Sequence, residues 1–216
     1  MSKTASEPVA RRSSAPTAAA ISLALLASSL AHAGGGPLGI DHKVPYDDSG
    51  IWSRSNQGLL RYGALLTTIG IGLWEGDGSR LGRSAWQSVD SVALAGITAE
   101  IAKRVFGRQR PRDTDDPDQW FSGGRSFPSG EVAEISAIVT PYVLEYRHDH
   151  PAVWALEILP AYDAVARVKV QAHWQTDVLA GFALGTATGI WAHQRNLPII
   201  VSVLPHGVSV GLKKRF

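Results

Sequence analysis

Between residues 58 and 194 the apolar residues gather into segments of helical length, each closed by glycine, proline or a polar cluster. That pattern restricts the fold most, because repeated apolar stretches of this length and spacing make an α-helical bundle. Residues 58–74 carry Leu59, Leu60, Leu65, Leu66, Ile69, Ile71, Leu73 and Trp74 and stop at Glu75-Gly76-Asp77-Gly78. Residues 84–106 follow, with Ser88, Asp90 and Ser91 near a polar start and Val92, Leu94, Ile97, Ile101 and Val105 as an apolar stripe. Pro111 blocks its continuation. Residues 131–146 form a third helix with Ser129 as its N-cap. Residues 152–165 form a fourth, interrupted by Pro160, and residues 173–194 a fifth. After Pro198 the period changes. Ile199, Val201 and Val203 alternate, Pro205-His206-Gly207 turns the chain, and Val208, Val210 and Leu212 alternate again, which is a β-hairpin signal. Two strands alone are marginal, so the hairpin must pack on the bundle or on a partner. Lys213-Lys214-Arg215 then reads as a solvated tail, with contact to anionic lipid headgroups as the alternative.

The first 57 residues differ in character. Arg11-Arg12 closes a polar, basic start, residues 18–27 form a short apolar core, and Ala31-His32-Ala33 has the small-x-small pattern of a cleavage site. Residues 1–33 therefore read as a secretory signal. An uncleaved anchor is the alternative, although the apolar run falls short of a span of about 20 residues. The expected organisation is a signal (1–33), an irregular arm (34–57), a helical domain (58–196) and a hairpin (197–216). The longest later apolar segment, Val178 to Ala192, fits a buried bundle helix better than a membrane span. The chain reads as soluble or peripheral in the periplasm or cell envelope, with an integral membrane form as the alternative. The formal charge is +2, and residues 1–33 hold three basic residues against one acidic, so the remainder is balanced. A general nucleic-acid binder would keep a basic excess. With no cysteine, disulfides, thiolate catalysis and cysteine-ligated zinc are excluded.

The chemistry concentrates in three segments. In Ala166-Arg167-Val168-Lys169-Val170-Gln171-Ala172-His173-Trp174-Gln175-Thr176-Asp177, His173 and Asp177 are four apart. On a helix that spacing puts them on one face, where the carboxylate can accept a hydrogen bond from one imidazole nitrogen and leave the other free to attack. The same pair is also ordinary helix-surface chemistry. Arg167 is an always-charged planar donor suited to an oxyanion. Upstream, Lys103-Arg104-Val105-Phe106-Gly107-Arg108-Gln109-Arg110-Pro111 ends a helical pattern in a basic cluster, and Ser126-Phe127-Pro128-Ser129-Gly130-Glu131 opens another helix.

Lys-x6-Arg-Pro, Pro-Ser-Gly and Arg-x5-His-x3-Asp, in that order, resemble the type 2 phosphatidic acid phosphatase family. That family shares its fold with bacterial class A acid phosphatases and vanadium haloperoxidases. The resemblance covers about residues 60 to 195 and departs at Glu131, where the family has histidine, and at Ala166, where it has serine. It implies an all-α helical bundle of the phosphatidic acid phosphatase and haloperoxidase type, here with a C-terminal β-hairpin. It further implies a phosphoryl-transfer site needing no metal. Lys103, Arg110 and Arg167 would hold the phosphate. The backbone N–H groups of Ser129 and Gly130, and the Ser129 hydroxyl, would complete the clamp at a helix N-terminus. Lys103 and Arg110 face the same way if the helix persists between them. His173 would be the nucleophile, forming a phosphohistidine that water hydrolyses, with Asp177 orienting it. Glu131 has two readings. It is a first-turn carboxylate suited to the helix dipole, or, keeping a proton beside a phosphate dianion, it is the general acid.

The function expected is a metal-independent phosphatase for phosphomonoesters or lipid (di)phosphates, with a phosphorylated small molecule or lipid as substrate and a membrane surface as a candidate partner. No cofactor is expected, and vanadate should inhibit. The alternatives are a vanadium-dependent haloperoxidase with vanadate as cofactor in the same clamp, a lipid phosphotransferase, and a non-catalytic phosphate or lipid binder. The short chain and Glu131 argue against the haloperoxidase. Two clusters invite metal. Asp113, Asp115, Asp116 and Asp118 lack the spacing of a calcium loop and read as a solvated loop bordering the entrance. His148-Asp149-His150-Pro151 reads as a helix–helix turn.

Overall fold

In the computed structural model residues 35–195 and two C-terminal strands are described. The expected signal (1–33) and the basic tail (213–215) lie outside the described residues. Among the described residues five α-helices follow one another: α1 (Arg54–Glu75), α2 (Arg80–Phe106), α3 (Gly130–Tyr146), α4 (Ile158–Lys169) and α5 (Gln175–Gln194). A 3₁₀ segment, Pro151–Glu157, leads into α4. Strands β1 (Ile199–Leu204) and β2 (Gly207–Leu212) pair antiparallel, with Ile199 opposite Leu212 and Leu204 opposite Gly207.

The centre of the bundle is α3. It is apolar on nearly every side, which suits a helix surrounded by others. Val132, Ala133, Ile135, Ala137, Ile138, Val139 and Val143 are all buried. Ile135, Val139 and Val143 pack against Leu60 of α1 and Leu156 and Leu159 around α4. Ala133 and Ala137 meet Ala95 of α2 and Leu184 of α5. The approach of α5 to α3 is close because glycines recur every fourth residue on α5. A Cβ on Gly181 would stand 2.4 Å from the Ser129 carbonyl oxygen, and one on Gly185 would stand 2.1 Å from that of Ala133. This contact sets the start of α3 over the start of α5, where two of the three motifs lie.

Several expectations need correction. The stripe Ile97, Ile101 and Val105 is not the buried face of α2, since these residues are 61%, 59% and 58% exposed. The buried face is Ser84, Ala85, Ser88, Ser91, Ala95 and Ala99. Small residues let three helices approach, and their hydroxyls are paired within the core: Ser88 donates to the Ile138 carbonyl at 2.7 Å. The start of α2 lies earlier than expected because the Ser79 hydroxyl caps the Gly82 N–H at 3.0 Å. The fourth helix begins later and runs on to Lys169, with Pro160 in its first turn, where a missing N–H costs no intrahelical bond. The fifth begins at Gln175, so His173 lies ahead of it.

Candidate active site

Six of the eight residues singled out in the sequence line one cleft of about 190 Å³: Lys103, Arg110, Gly130, Glu131, Arg167 and His173. Lys103 reaches it from the last turn of α2. The helix does not persist to Arg110. Gly107 ends it in the left-handed conformation, φ +51°, with its N–H on the Lys103 carbonyl. Arg110 arrives from the loop that follows, which folds back so that the Phe121 N–H bonds the Phe106 carbonyl and the Ser126 N–H bonds the Arg108 carbonyl. Edge contacts among Phe106, Trp120 and Phe127 fill the space beneath. The Lys103 ammonium donates to the Pro128 carbonyl. Burial, reinforced by the Arg110 charge, pulls its pKa down to about 8. Among the described residues, neither Lys103 nor Arg110 has a carboxylate within ion-pair distance.

His173 is buried, and its Nδ1 lies 2.6 Å from the Ser126 carbonyl oxygen. A carbonyl only accepts, so Nδ1 carries the proton and Nε2 keeps its lone pair. Burial, then the charges of Lys103 and Arg110, hold the imidazole pKa well below its usual value, so the ring stays neutral. The expected His173–Asp177 hydrogen bond is absent, with Nδ1 and Oδ2 3.9 Å apart. Asp177 is instead the third residue of α5 and accepts the Trp174 N–H at 2.9 Å. It also accepts the Ser126 hydroxyl and, at 2.6 Å, Arg108 Nη1. Burial raises the Asp177 pKa against the opposing pull of Arg108.

Arg108, which sequence reasoning passed over, is fully buried. It bonds Asp41 at 2.6 Å, Thr176 at 2.9 Å and the Pro117 carbonyl, and it stacks over Trp120 with its guanidinium 4.4 Å from the ring centre. Asp41 in turn takes the Thr176 N–H at 2.7 Å. The residues before α1 are thereby tied to the underside of the site. The histidine is oriented by a backbone carbonyl, and Asp177 and Arg108 fix the segment that supplies it.

Ser129 sits at the N-cap position of α3 without making the side-chain cap, and its hydroxyl is buried with no partner among the described residues. Its N–H is bonded to the Asp177 carbonyl at 2.9 Å and so is not free for a ligand. Gly130 and Glu131 lie in the first turn, whose N–H groups have no intrahelical acceptor. The Glu131 carboxylate faces two arginines. Arg54 meets it at 3.1 and 3.2 Å and Arg167 at 3.2 Å. One turn on, Glu134 takes Arg61 in a paired bond of 2.6 and 2.8 Å. Arg54 and Arg61 escaped the sequence reading, although Arg61, a charge within the apolar run 58–74, is a usable signal. Among the described residues, Arg167 Nε is buried without an acceptor, and both oxygens of Asp163, one turn before it on α4, are buried without a hydrogen-bond partner. Burial and the nearby Glu131 charge push Asp163 up to about 7.

The cleft thus joins a neutral imidazole with a free Nε2, cations that can meet a dianion, and a helix N-terminus. The Asp113–Asp118 and His148–His150 segments each hold an ion pair. Asp115 pairs with Lys43 at 2.7 Å and Asp149 with Arg80 at 2.7 Å, and among the described residues no three acidic or histidine side chains converge on one point.

A family model described as the PAP2 superfamily matches residues 84–198. Over 102 residues the chain is 32% identical to the lipid A 1-phosphatase of Rhizobium johnstonii, a match covering 44% of this chain and 41% of that protein. It is 30% identical over 129 residues to the lipid A 1-phosphatase of Porphyromonas gingivalis, covering 58% and 26%. The lipid A 1-phosphatase of Rhizobium etli is 33% identical over 102 residues, covering 44% and 43%. The matches span less than half the length of each of these relatives. No solved structure matches the chain.

Proposed function

Because the chain belongs to the PAP2 superfamily, we propose that it is a phosphatase of lipid phosphates in the cell envelope, working through a phosphohistidine on His173. The observation that carries this reading is the single cleft in which Lys103, Arg110 and Arg167 surround a neutral imidazole whose Nδ1–H is tied to the Ser126 carbonyl. The relatives named lipid A 1-phosphatase support a lipid phosphate as the substrate class.

In this mechanism the phosphoryl oxygens lie among Lys103, Arg110, Arg167 and the N–H groups of the first turn of α3, where charge spread over them is stabilised. His173 Nε2 attacks phosphorus as the bond to the leaving oxygen breaks. Water then attacks the phosphohistidine, releasing phosphate and restoring the imidazole. The incoming phosphate competes with Glu131 for Arg167. Glu131 lines the cleft, where a carboxyl can give a proton to the leaving oxygen. We assign Glu131 the acid role, exercised only once it is released from both Arg167 and Arg54, which holds it at 3.1 and 3.2 Å.

The test is phosphate release from an aryl phosphate, a phosphatidate and lipid A, beside His173→Ala and a rapid quench with labelled substrate. The expected result is a phosphoprotein that is labile in acid and stable in base, lost together with turnover in the variant. Turnover that survives in His173→Ala would overturn the nucleophile assignment. Glu131→Gln should slow poor leaving groups by roughly 10²-fold or more and activated aryl phosphates far less. Equal losses on both would remove Glu131 from the acid role.

A further inference from the structure

A second cavity, about 530 Å³, opens between α1 and α3 and is bounded on its far side by Leu156 and Leu159. Leu60, Ala64 and Ile71 of α1 face Ile138 and Val139 of α3 across it. Its volume falls within the range of ligand pockets. It has no charged wall. The cavity neighbours the cleft: α1 and α3 contribute to both, and no residue lines both. Arg61 and Glu134 line the cleft and form an ion pair at 2.6 Å. Leu60 and Ala64 on α1, and Ile138 on α3, begin the apolar cavity within one helical turn of that pair, about 6 Å along each axis. Along α1 the cavity runs from Leu60 to Ile71, a distance of about 17 Å. A cationic cleft with a long apolar groove beginning one turn away on the same two helices matches one chemistry, a phosphate head on a hydrocarbon chain.

We infer that the α1–α3 groove seats the hydrocarbon tail of the phosphate ester whose head enters the cleft, an inference that rests on reading the cleft as a phosphate-ester site. Gly63 is the glycine of the groove. It lies on the wall, and a Cβ there would meet nothing within 4 Å. A larger side chain at this position grows into the space the tail would occupy without striking backbone. Gly70 is equally unobstructed but lies off the wall, so it serves as the control.

The experiment is calorimetric binding of a series of straight-chain alkylphosphonates to the full chain, below the concentrations at which they form micelles. Phosphonates are not hydrolysed, so the result does not depend on turnover. Affinity should rise by up to about four-fold per added methylene until the groove is filled. Gly63→Phe should flatten that dependence, with circular dichroism reporting its fold, and Gly70→Leu should preserve it. A flat series in the unmodified chain, or an unchanged slope in a folded Gly63→Phe, would overturn the inference. Hydrolysis of an aryl phosphate, measured in parallel, tests the cleft alone. A steep phosphonate series without hydrolysis would leave the groove standing and sink the phosphatase reading.

Discussion

At the scale of single residues the site works by keeping its groups in unusual protonation states. His173 is neutral because it is buried between cations, and Lys103 is held at about 8 for the same reason. The sign for Lys103 is direct. Below about 8 the ammonium is charged and can meet a phosphate dianion, and above it that charge is lost from the free enzyme. Since kcat/KM reports the free enzyme, a pH profile of kcat/KM should fall above about pH 8. Lys103→Arg should remove that limb, because a guanidinium stays charged. A limb that persists unchanged in the variant would assign it to another group. The residue types of the site were legible in the sequence, but their bonds were not. Spacing alone suggested that Asp177 holds His173, whereas the Ser126 carbonyl does so, and backbone groups leave no trace in a residue pattern. The Ser129 N–H was likewise counted as free, because its acceptor, the Asp177 carbonyl, lies 48 positions away. Arg54 and Arg61 were missed because their partners, Glu131 and Glu134, are more than 70 positions distant.

At the scale of the helices, what positions these residues is the closeness of α3 to α5. Helix existence was legible from the apolar runs, but the buried faces were not. Hydrophobicity pointed to Ile97, Ile101 and Val105 on α2, while the core selected serines, alanines and glycines that permit near contact. Gly185 is the clearest case. A methyl group there would press on the Ala133 carbonyl oxygen at 2.1 Å, which is backbone and cannot turn aside. Gly185→Ala should cost about 1–3 kcal/mol through overpacking, despite alanine's better helix propensity. Gly63→Ala, in open space, should gain up to about 1 kcal/mol from that propensity. Urea unfolding midpoints of the two variants, with unchanged slopes, would measure this contrast. A Gly185→Ala variant as stable as the parent would mean that α3 and α5 can separate freely, and the close approach would then not be what fixes the site.

For the whole molecule, the faces that are not buried need an account. Leu66 and Trp74 on α1 are 67% and 88% exposed, and α2 turns Ile97, Ile101 and Val105 outward. Among the described residues no helix is long and apolar enough to cross a membrane. The described helices leave these residues exposed, and exposed apolar patches mark contacts with a membrane or a protein. The same helices border the cleft: Arg61 precedes the exposed Tyr62, and Glu100 precedes Ile101. A rim of this kind, resting on a bilayer, would bring lipid headgroups to the cleft and place the α1–α3 groove within reach of their tails. Ile97→Glu combined with Ile101→Glu tests that arrangement. Each isoleucine withdrawn from an apolar environment loses about 1.5 kcal/mol or more, so the pair should weaken binding to phospholipid vesicles by roughly a hundred-fold. Hydrolysis of a lipid phosphate presented in those vesicles should fall in parallel, while hydrolysis of a water-soluble aryl phosphate holds, because neither isoleucine lines the cleft. Vesicle binding that survives both charges would show that α2 does not rest on lipid, and its outward stripe would then have to be covered by a protein surface.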